Sequence, residues 1–346
     1  MRLLVMRFSA MGDVAMTVPV IHSLASQHPE IEVTVLTQKR FVPFFSWMPD
    51  NVRIMGVDLA DYKGVLGLNH LYSELHHEHF EAVADLHDVL RTKFLRMCFR
   101  IGRVPVAIID KGRHDKHALI GNASVMDALK PMTERYCEVF RHLGIEVNPD
   151  AYNKPSFDES ESFECVDKIA GTKGDGDTWI GIAPFAAHPN KIYPLDRMRQ
   201  VAEALAEKGM KVFLFGAGKY ESDTLRAWEK ENIISVCGKM GGLRNEMLLM
   251  SKLNLMVSMD SANMHIAAMM GTPTLSIWGA THPKAGFKGW KQTDKSIVDV
   301  DLPCRPCSIY GNKPCKFGDL RCMTNISVDT IVEKIEAGMK RKKDVF

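Results

Sequence analysis

The stretch Leu255-Met256-Val257-Ser258-Met259-Asp260-Ser261-Ala262-Asn263-Met264-His265-Ile266-Ala267-Ala268-Met269-Met270-Gly271-Thr272-Pro273-Thr274-Leu275-Ser276-Ile277-Trp278 decides the fold. Its apolar run from Leu255 to Met259 predicts a buried strand that stops at an acid and a hydroxyl, Asp260 and Ser261. A helix is predicted next, and Gly271 and Pro273 end it before another strand over Thr274–Trp278. An acid-hydroxyl pair at the C-terminal edge of a strand, just ahead of a helix, marks where open α/β sheets hold polar ligands. The helix end supplies N–H groups and partial positive charge that stabilise a phosphate. Asp260 does the opposite job and accepts hydrogen bonds from sugar hydroxyls. A sugar phosphate needs both. Standing alone, the pair would read as an N-cap of no functional meaning.

The same alternation extends on both sides of this stretch. Strands are predicted at Trp179–Ala183, Lys211–Phe215 and Ile233–Val236, with helices over Leu195–Glu207, Glu221–Lys230 and Leu243–Leu253. Strands separated by helices of this length imply a parallel sheet. The first half opens in the same way, with a strand over Arg2–Phe8, the loop Ser9-Ala10-Met11-Gly12-Asp13, a helix from Val14 to about Gln27 and a strand over Ile31–Leu36. Pro19 predicts a kink or a tight first turn in that helix. Further strands are expected at Ala82–Leu86 and Val104–Ile109, and a helix over Thr133–Leu143. Between Asn148 and Asp177 the pattern weakens into Pro- and Gly-rich sequence, which places the linker there. The expected class is α/β, as two Rossmann-like domains with a ligand site in the cleft. Their expected bounds are 1–160 and 161–328, followed by a C-terminal helix and basic tail over 329–346.

The chain has 346 residues, enough for two ordinary cores, and its 46% hydrophobic and 25% charged residues suit a globular protein. A net charge of +2 points to no nucleic acid. No apolar run reaches the roughly 18 residues that cross a bilayer, and the N-terminus lacks a signal-peptide core. A cytoplasmic protein is expected. Eight cysteines do not make a disulfide scaffold, yet four fall close together as Cys304-x2-Cys307-x7-Cys315-x6-Cys322. They could hold a closed structural zinc or remain free thiols, and four thiolates would leave no position open for catalysis.

Several further residues carry chemistry. Asp13 lies at the first strand-to-helix turn, where it is either a cap or a general base toward an acceptor hydroxyl. Lys191 follows the first strand of the second half and suits a diphosphate. Gly216-x-Gly218 follows a strand but lacks the third glycine of a dinucleotide fingerprint. That lack, with no fitting acid after the next strand, counts against a nicotinamide oxidoreductase. Between Asp88 and His117 there are eight Lys or Arg against three Asp, a run that reads as a solvated face or, through Lys111, Arg113 and Lys116, as an anion site. Phe41, Phe44, Phe45 and Trp47 read as core before they read as a membrane contact.

The Asp260 block resembles the Asp-(Ser/Thr)-Gly-x-x-His-x-Ala-Ala motif of glycosyltransferase family nine, the ADP-heptose:lipopolysaccharide heptosyltransferases. Ala262 stands where that family usually has Gly, which leaves room for another nucleotide sugar and a different surface glycan. Ser9-x-Met11-Gly12-Asp13 and Lys191 ahead of Tyr193-Pro194 resemble further motifs of the family, in the same order along the chain. The resemblance implies a GT-B fold and inverting transfer of heptose from ADP-heptose to the Kdo/heptose inner core of lipopolysaccharide. It makes Asp13 the base. The donor would be bound by Ser9, Gly12, Lys191, Glu221, Met240, Asp260, Ser261, Ala262 and His265, with Glu221 on the ribose and Met240 on the adenine. Lys111, Arg113 and Lys116 would meet an acidic lipid A-Kdo acceptor at the inner membrane surface, to which the enzyme would be peripheral. No redox cofactor or catalytic metal is implied. Family likeness would also pack the C-terminal helix against the N-terminal half.

Overall fold

The computed structural model describes residues 1–157 and 162–341, in two compact units. The first comprises 1–111 and 130–153. Its sheet contains β1 (Arg2–Met6), β2 (Glu32–Gln38), β3 (Val52–Val57), β4 (Ala82–Asp85) and β5 (Val106–Ile108), all parallel, in the order β3-β2-β1-β4-β5. Leu3, Leu4, Val5 and Met6 of the central β1 are wholly buried, as a parallel strand covered on both faces requires. The predicted first helix is two, Met11–Ala15 and Val18–Gln27. Pro19 falls in the first turn of the second, where its missing N–H costs nothing. Strand β3 and the helix Gly64–His76 after it escaped the sequence reading, because Val52-Arg-Ile-Met-Gly-Val57 shows neither clean alternation nor a continuous apolar run. Phe41, Phe44 and Phe45 are core residues.

The second unit comprises 112–129 and 154–346. Its sheet contains β6 (Trp179–Ala183), β7 (Lys211–Leu214), β8 (Ile233–Ser235), β9 (Leu255–Met259), β10 (Thr274–Ile277) and β11 (Ile297–Val298), again all parallel, in the order β11-β10-β9-β6-β7-β8. The helices Leu195–Glu207, Leu243–Lys252 and Ala262–Met269 fall within a residue or so of expectation.

Two expected boundaries need correction. Residues 112–129 belong with the second unit, not the first. Leu119 and Ala123 are buried with Ala285 and Ile309, Gly121 N–H donates to Pro306 O at 3.2 Å, and Lys284 Nζ donates to the carbonyls of Ala123 and Met126 at 2.7 and 2.8 Å. The C-terminal helix Val328–Arg341 also packs on the second unit. Ile331, Val332 and Ile335 share a core with Met198, Val201, Ala202 and Leu205 of the helix Leu195–Glu207. An amphipathic helix goes where its apolar stripe is covered, and this unit supplies the cover. The expected division at 160/161 and the basic tail after 341 lie outside the described residues.

Candidate active-site residues

Each sheet reverses its strand order beside its first strand, between β1 and β4 in one unit and between β6 and β9 in the other. Such switch points open a crevice at the C-terminal strand ends, because the connections leave in opposite directions. The predicted functional residues concentrate at both.

In the first unit, the chain leaves β1 through Arg7 and Ser9 and enters the short helix Met11–Ala15. Asp13 Oδ2 accepts from Ala10 N–H at 3.2 Å and pairs with Arg7 Nη2 at 2.7 Å. Arg7 is buried, its Nη1 donates to Leu86 O at 2.5 Å and its guanidinium lies 6.0 Å from the Tyr136 ring centroid. Tyr136 in turn donates to Asp13 O at 3.4 Å. The carboxylate is thus held through one oxygen while its side chain stays 29% exposed. Across the switch point, His87 follows β4. Its Nδ1 accepts from Phe8 N–H at 3.4 Å, which places the ring proton on Nε2, 3.3 Å from Ser9 Oγ. Burial, followed by the charges of Arg7 and Lys111, pushes the His87 pKa down to about 3. A neutral imidazole therefore positions the Ser9 hydroxyl. Asp85, wholly buried, accepts the N–H groups of His87 and Asp88 at 2.9 Å each and pairs with Arg96 Nη1 at 3.0 Å.

In the second unit, Lys191 after β6 meets Asp260 after β9, with Nζ 2.9 Å from Oδ2. Asp260 is buried, and Thr281 Oγ1 donates to the same oxygen at 2.8 Å. The Lys191 loop is anchored by Tyr193, whose wholly buried ring carries a hydroxyl that donates to Ile326 O at 2.9 Å. Gly311, at φ +77°, leaves space for the lysine stem: a Cβ there would lie 2.5 Å from Lys191 Cγ. Ser261 stands at the N-cap position of the helix Ala262–Met269, and its hydroxyl lies 3.1 Å from Ser258 Oγ rather than on the helix N–H groups. His265 is buried on that helix. Lys191, Asp260, Ser261 and Ala262 therefore meet at one switch point.

The other predicted residues fall in varied settings. Glu221 Oε2 accepts from Ala217 N–H at 2.7 Å, closing the Gly216–Gly218 turn in the manner of a helix-start acid. The Met240 side chain is wholly buried, as in a core methionine, and its carbonyl accepts from Asn245 Nδ2 at 2.8 Å. Lys111 belongs to the first unit and donates to Asp88 O at 3.2 Å, whereas Arg113 and Lys116 belong to the second. Lys116 is buried with its ammonium 4.3 Å from the Phe287 ring centroid, a packed cation rather than an open anion site.

The four clustered cysteines lie within electrostatic reach of one another, with Cys304, Cys307 and Cys315 all acting on Cys322. Among the described residues, no group of three or more His, Cys, Asp or Glu is arranged to hold a metal ion. Cys322 is buried in the core of the second unit, its thiol pushed up to about 11, while backbone N–H groups pull Cys315 down. The residue between the first two cysteines matters more to the site. Arg305, 1% exposed, donates to Gly279 O at 2.6 Å, Trp278 O at 3.2 Å, Thr281 O at 3.1 Å and Asp299 Oδ2 at 3.0 Å, and also to Val300 O. It binds together the loop that carries Thr281, and through it Asp260. Flanked by Cys304 and Pro306, Arg305 shows no sequence signal. Arg7 and His87 did leave one: a lone cation ending an apolar strand, and an acid-x-histidine after another.

No helix among the described residues is long and apolar enough to cross a membrane. Comparison with known proteins gives a consistent answer. The chain is 21% identical to lipopolysaccharide heptosyltransferase 1 of Pseudomonas aeruginosa, over 97% of this chain and 98% of that one. Its fold matches a family 9 glycosyl transferase from Veillonella parvula with a TM-score of 0.76 at 18% identity, covering 98% and 97% of the two chains. It also matches the ADP-heptose LPS heptosyltransferase II of E. coli with a TM-score of 0.71 at 18% identity, covering 99% and 100%. The two parallel sheets are those of a GT-B glycosyltransferase. Residues 69–317 match the model of glycosyltransferase family 9 (heptosyltransferase), and with its motifs in place the chain belongs to that family.

Proposed function

We propose that this glycosyltransferase moves heptose from ADP-heptose to an inner-core sugar of lipopolysaccharide, with inversion at the anomeric carbon. The observation that carries the reading is the Lys191–Asp260 pair at the β6/β9 switch point, beside the N-terminus of the helix Ala262–Met269. It places a cation, a helix end and a hydroxyl-accepting carboxylate within one small volume, the combination that a sugar diphosphate calls for. The names of the relatives, lipopolysaccharide heptosyltransferases, support the same donor and acceptor class.

In the proposed reaction, Asp13 takes the proton of the acceptor hydroxyl as that oxygen forms a bond to the anomeric carbon. The bond from that carbon to the phosphate oxygen breaks, and its electron pair leaves on ADP. The departing charge is stabilised by Lys191 and the helix N–H groups. ADP needs no proton to leave, so one carboxylate suffices. Arg7 fixes Asp13 through Oδ2, leaving Oδ1 for the acceptor. Asp260 holds the sugar hydroxyls, and Lys111 with Arg113 attracts the acidic acceptor at the membrane surface.

A thermal-shift panel of ADP, UDP, GDP and NAD tests the donor. A ligand at a hundredfold its Kd stabilises by about 2.7 kcal/mol, so ADP alone should raise the melting temperature by several degrees. Stabilisation by UDP or GDP without ADP would overturn the donor, and stabilisation by NAD alone would overturn the reaction class.

A further inference from the structure

Among the described residues of the first unit, every large apolar side chain more than half exposed lies on two helices; the others at that exposure, Val125, Tyr220, Tyr310 and Phe317, belong to the second unit. Leu66 is 87% exposed, Leu90 84%, Ile101 77%, Val65 68% and Met97 52%. All five lie on two helices of the first unit, Gly64–His76 and Leu90–Ile101. These helices pack side by side: the Tyr72 and Phe99 rings meet at 5.2 Å, Tyr72 donates to Cys98 O at 3.4 Å, and Leu71, Leu75, Leu95 and Phe99 share one core. The inner faces are therefore spent on packing, and the exposed residues form a separate outer stripe. On the second helix, Leu90, Met97 and Ile101 are spaced at i, i+7 and i+11, which keeps them on one line.

The charge around that stripe is mainly positive, although Asp88 lies 3.8 Å from Lys93. The helix Leu90–Ile101 carries no acid, and Arg91, Lys93 and Arg100 are exposed, followed by Arg103 just beyond its end. Its half-buried cation, Arg96, is satisfied by Asp85 and Asp88 at 3.0 Å each. The single acid of the neighbouring helix, Glu74, accepts from Tyr62 OH at 2.9 Å. We propose that this pair of helices is a membrane-docking face that seats on an anionic lipid surface, with the aliphatic residues in the headgroup-acyl boundary and the cations on lipid phosphates.

Long basic side chains flanking an aliphatic stripe match such a boundary, because their stems lie along apolar surface while their heads reach phosphate. Nucleic acid would use the cations but leave the leucine and isoleucine unexplained. The inference does not depend on which sugar is transferred.

The test is co-sedimentation of the full chain with vesicles of phosphatidylcholine alone and of phosphatidylcholine containing roughly a quarter phosphatidylglycerol. Binding is expected only to the anionic vesicles and should weaken as salt rises. Each surface cation is worth about fivefold in partitioning, so Lys93→Gln with Arg100→Gln should reduce it about 30-fold. Leu90→Ser with Ile101→Ser should abolish detectable binding, and unchanged melting curves would show that the variants are folded. The proposal is overturned if the wild type ignores anionic vesicles, binds neutral ones equally, or keeps its partitioning in both folded double variants. It is also overturned if the face captures an acidic protein while lipid fails to compete.

Discussion

Replacing Arg305 by Met removes the group that organises the Asp260 loop while keeping a long apolar side chain in its place. The guanidinium makes five hydrogen bonds, four to carbonyls and one to Asp299. At about 1 kcal/mol net for each carbonyl left without its donor, the loss is about 4 kcal/mol. Asp299, 30% exposed, recovers water and adds at most about 1 kcal/mol. A loss of 4–5 kcal/mol approaches the whole stability of a marginal domain, about 5–15 kcal/mol. Arg305→Lys keeps the charge but not the planar fork, and should cost about half as much. Urea unfolding followed by fluorescence of the buried Trp179 and Trp278 reads both variants directly. At temperatures where the variants remain folded, ADP affinity should also fall, because Thr281 loses its anchor and so does its bond to Asp260. If Arg305→Met stays within about 1 kcal/mol of the wild type, the reasoning fails.

Two other perturbations probe the switch points. Lys191→Met strips one partner from a pair whose side chains are 14% and 9% exposed, so it should destabilise by about 3 kcal/mol. Asp260→Asn should then cost less in the Lys191→Met background than in the wild type; additive costs in a double-mutant cycle would contradict the pairing. His87 makes stability depend on pH. With a folded value of about 3 against 6.5 when unfolded, the unfolded chain binds more protons between those limits, so stability falls as pH drops through that window. At about 1.4 kcal/mol per unit, the advantage of wild type over His87→Gln should shrink by a few kcal/mol between pH 7 and pH 4. A pH-independent difference would refute the neutral, buried ring.

The second half was readable because its strands are short apolar runs bounded by Gly, Pro or acids, and its helices have full amphipathic length. Trp179–Ala183 and Leu255–Met259 match their predicted bounds for that reason. Val52–Val57 was hidden by Arg53 and Gly56, which break both strand periods. Position along the chain assigns residues 112–129 to the first unit, whereas Leu119 and Ala123 find their apolar partners at Ala285 and Ile309 in the second. The places of Asp13, Lys191 and Asp260 after the strand ends were legible in the sequence. Thr281 and Arg305 were not, since a threonine and an arginine in loops acquire meaning only from the atoms around them. Lys116 misled in the opposite sense: a basic run gives charge but not direction, and this lysine turns inward onto Phe287.

The central claim is that Asp13 acts as the base in a transfer from ADP-heptose. The direct measurement is acceptor-dependent release of ADP by wild type and Asp13→Asn, alongside calorimetric binding of ADP to each. General-base catalysis contributes about 10²–10⁴-fold, so the variant should lose at least about a hundredfold in turnover while its ADP affinity stays within about threefold. Turnover close to wild type in a variant that still binds ADP would contradict the account.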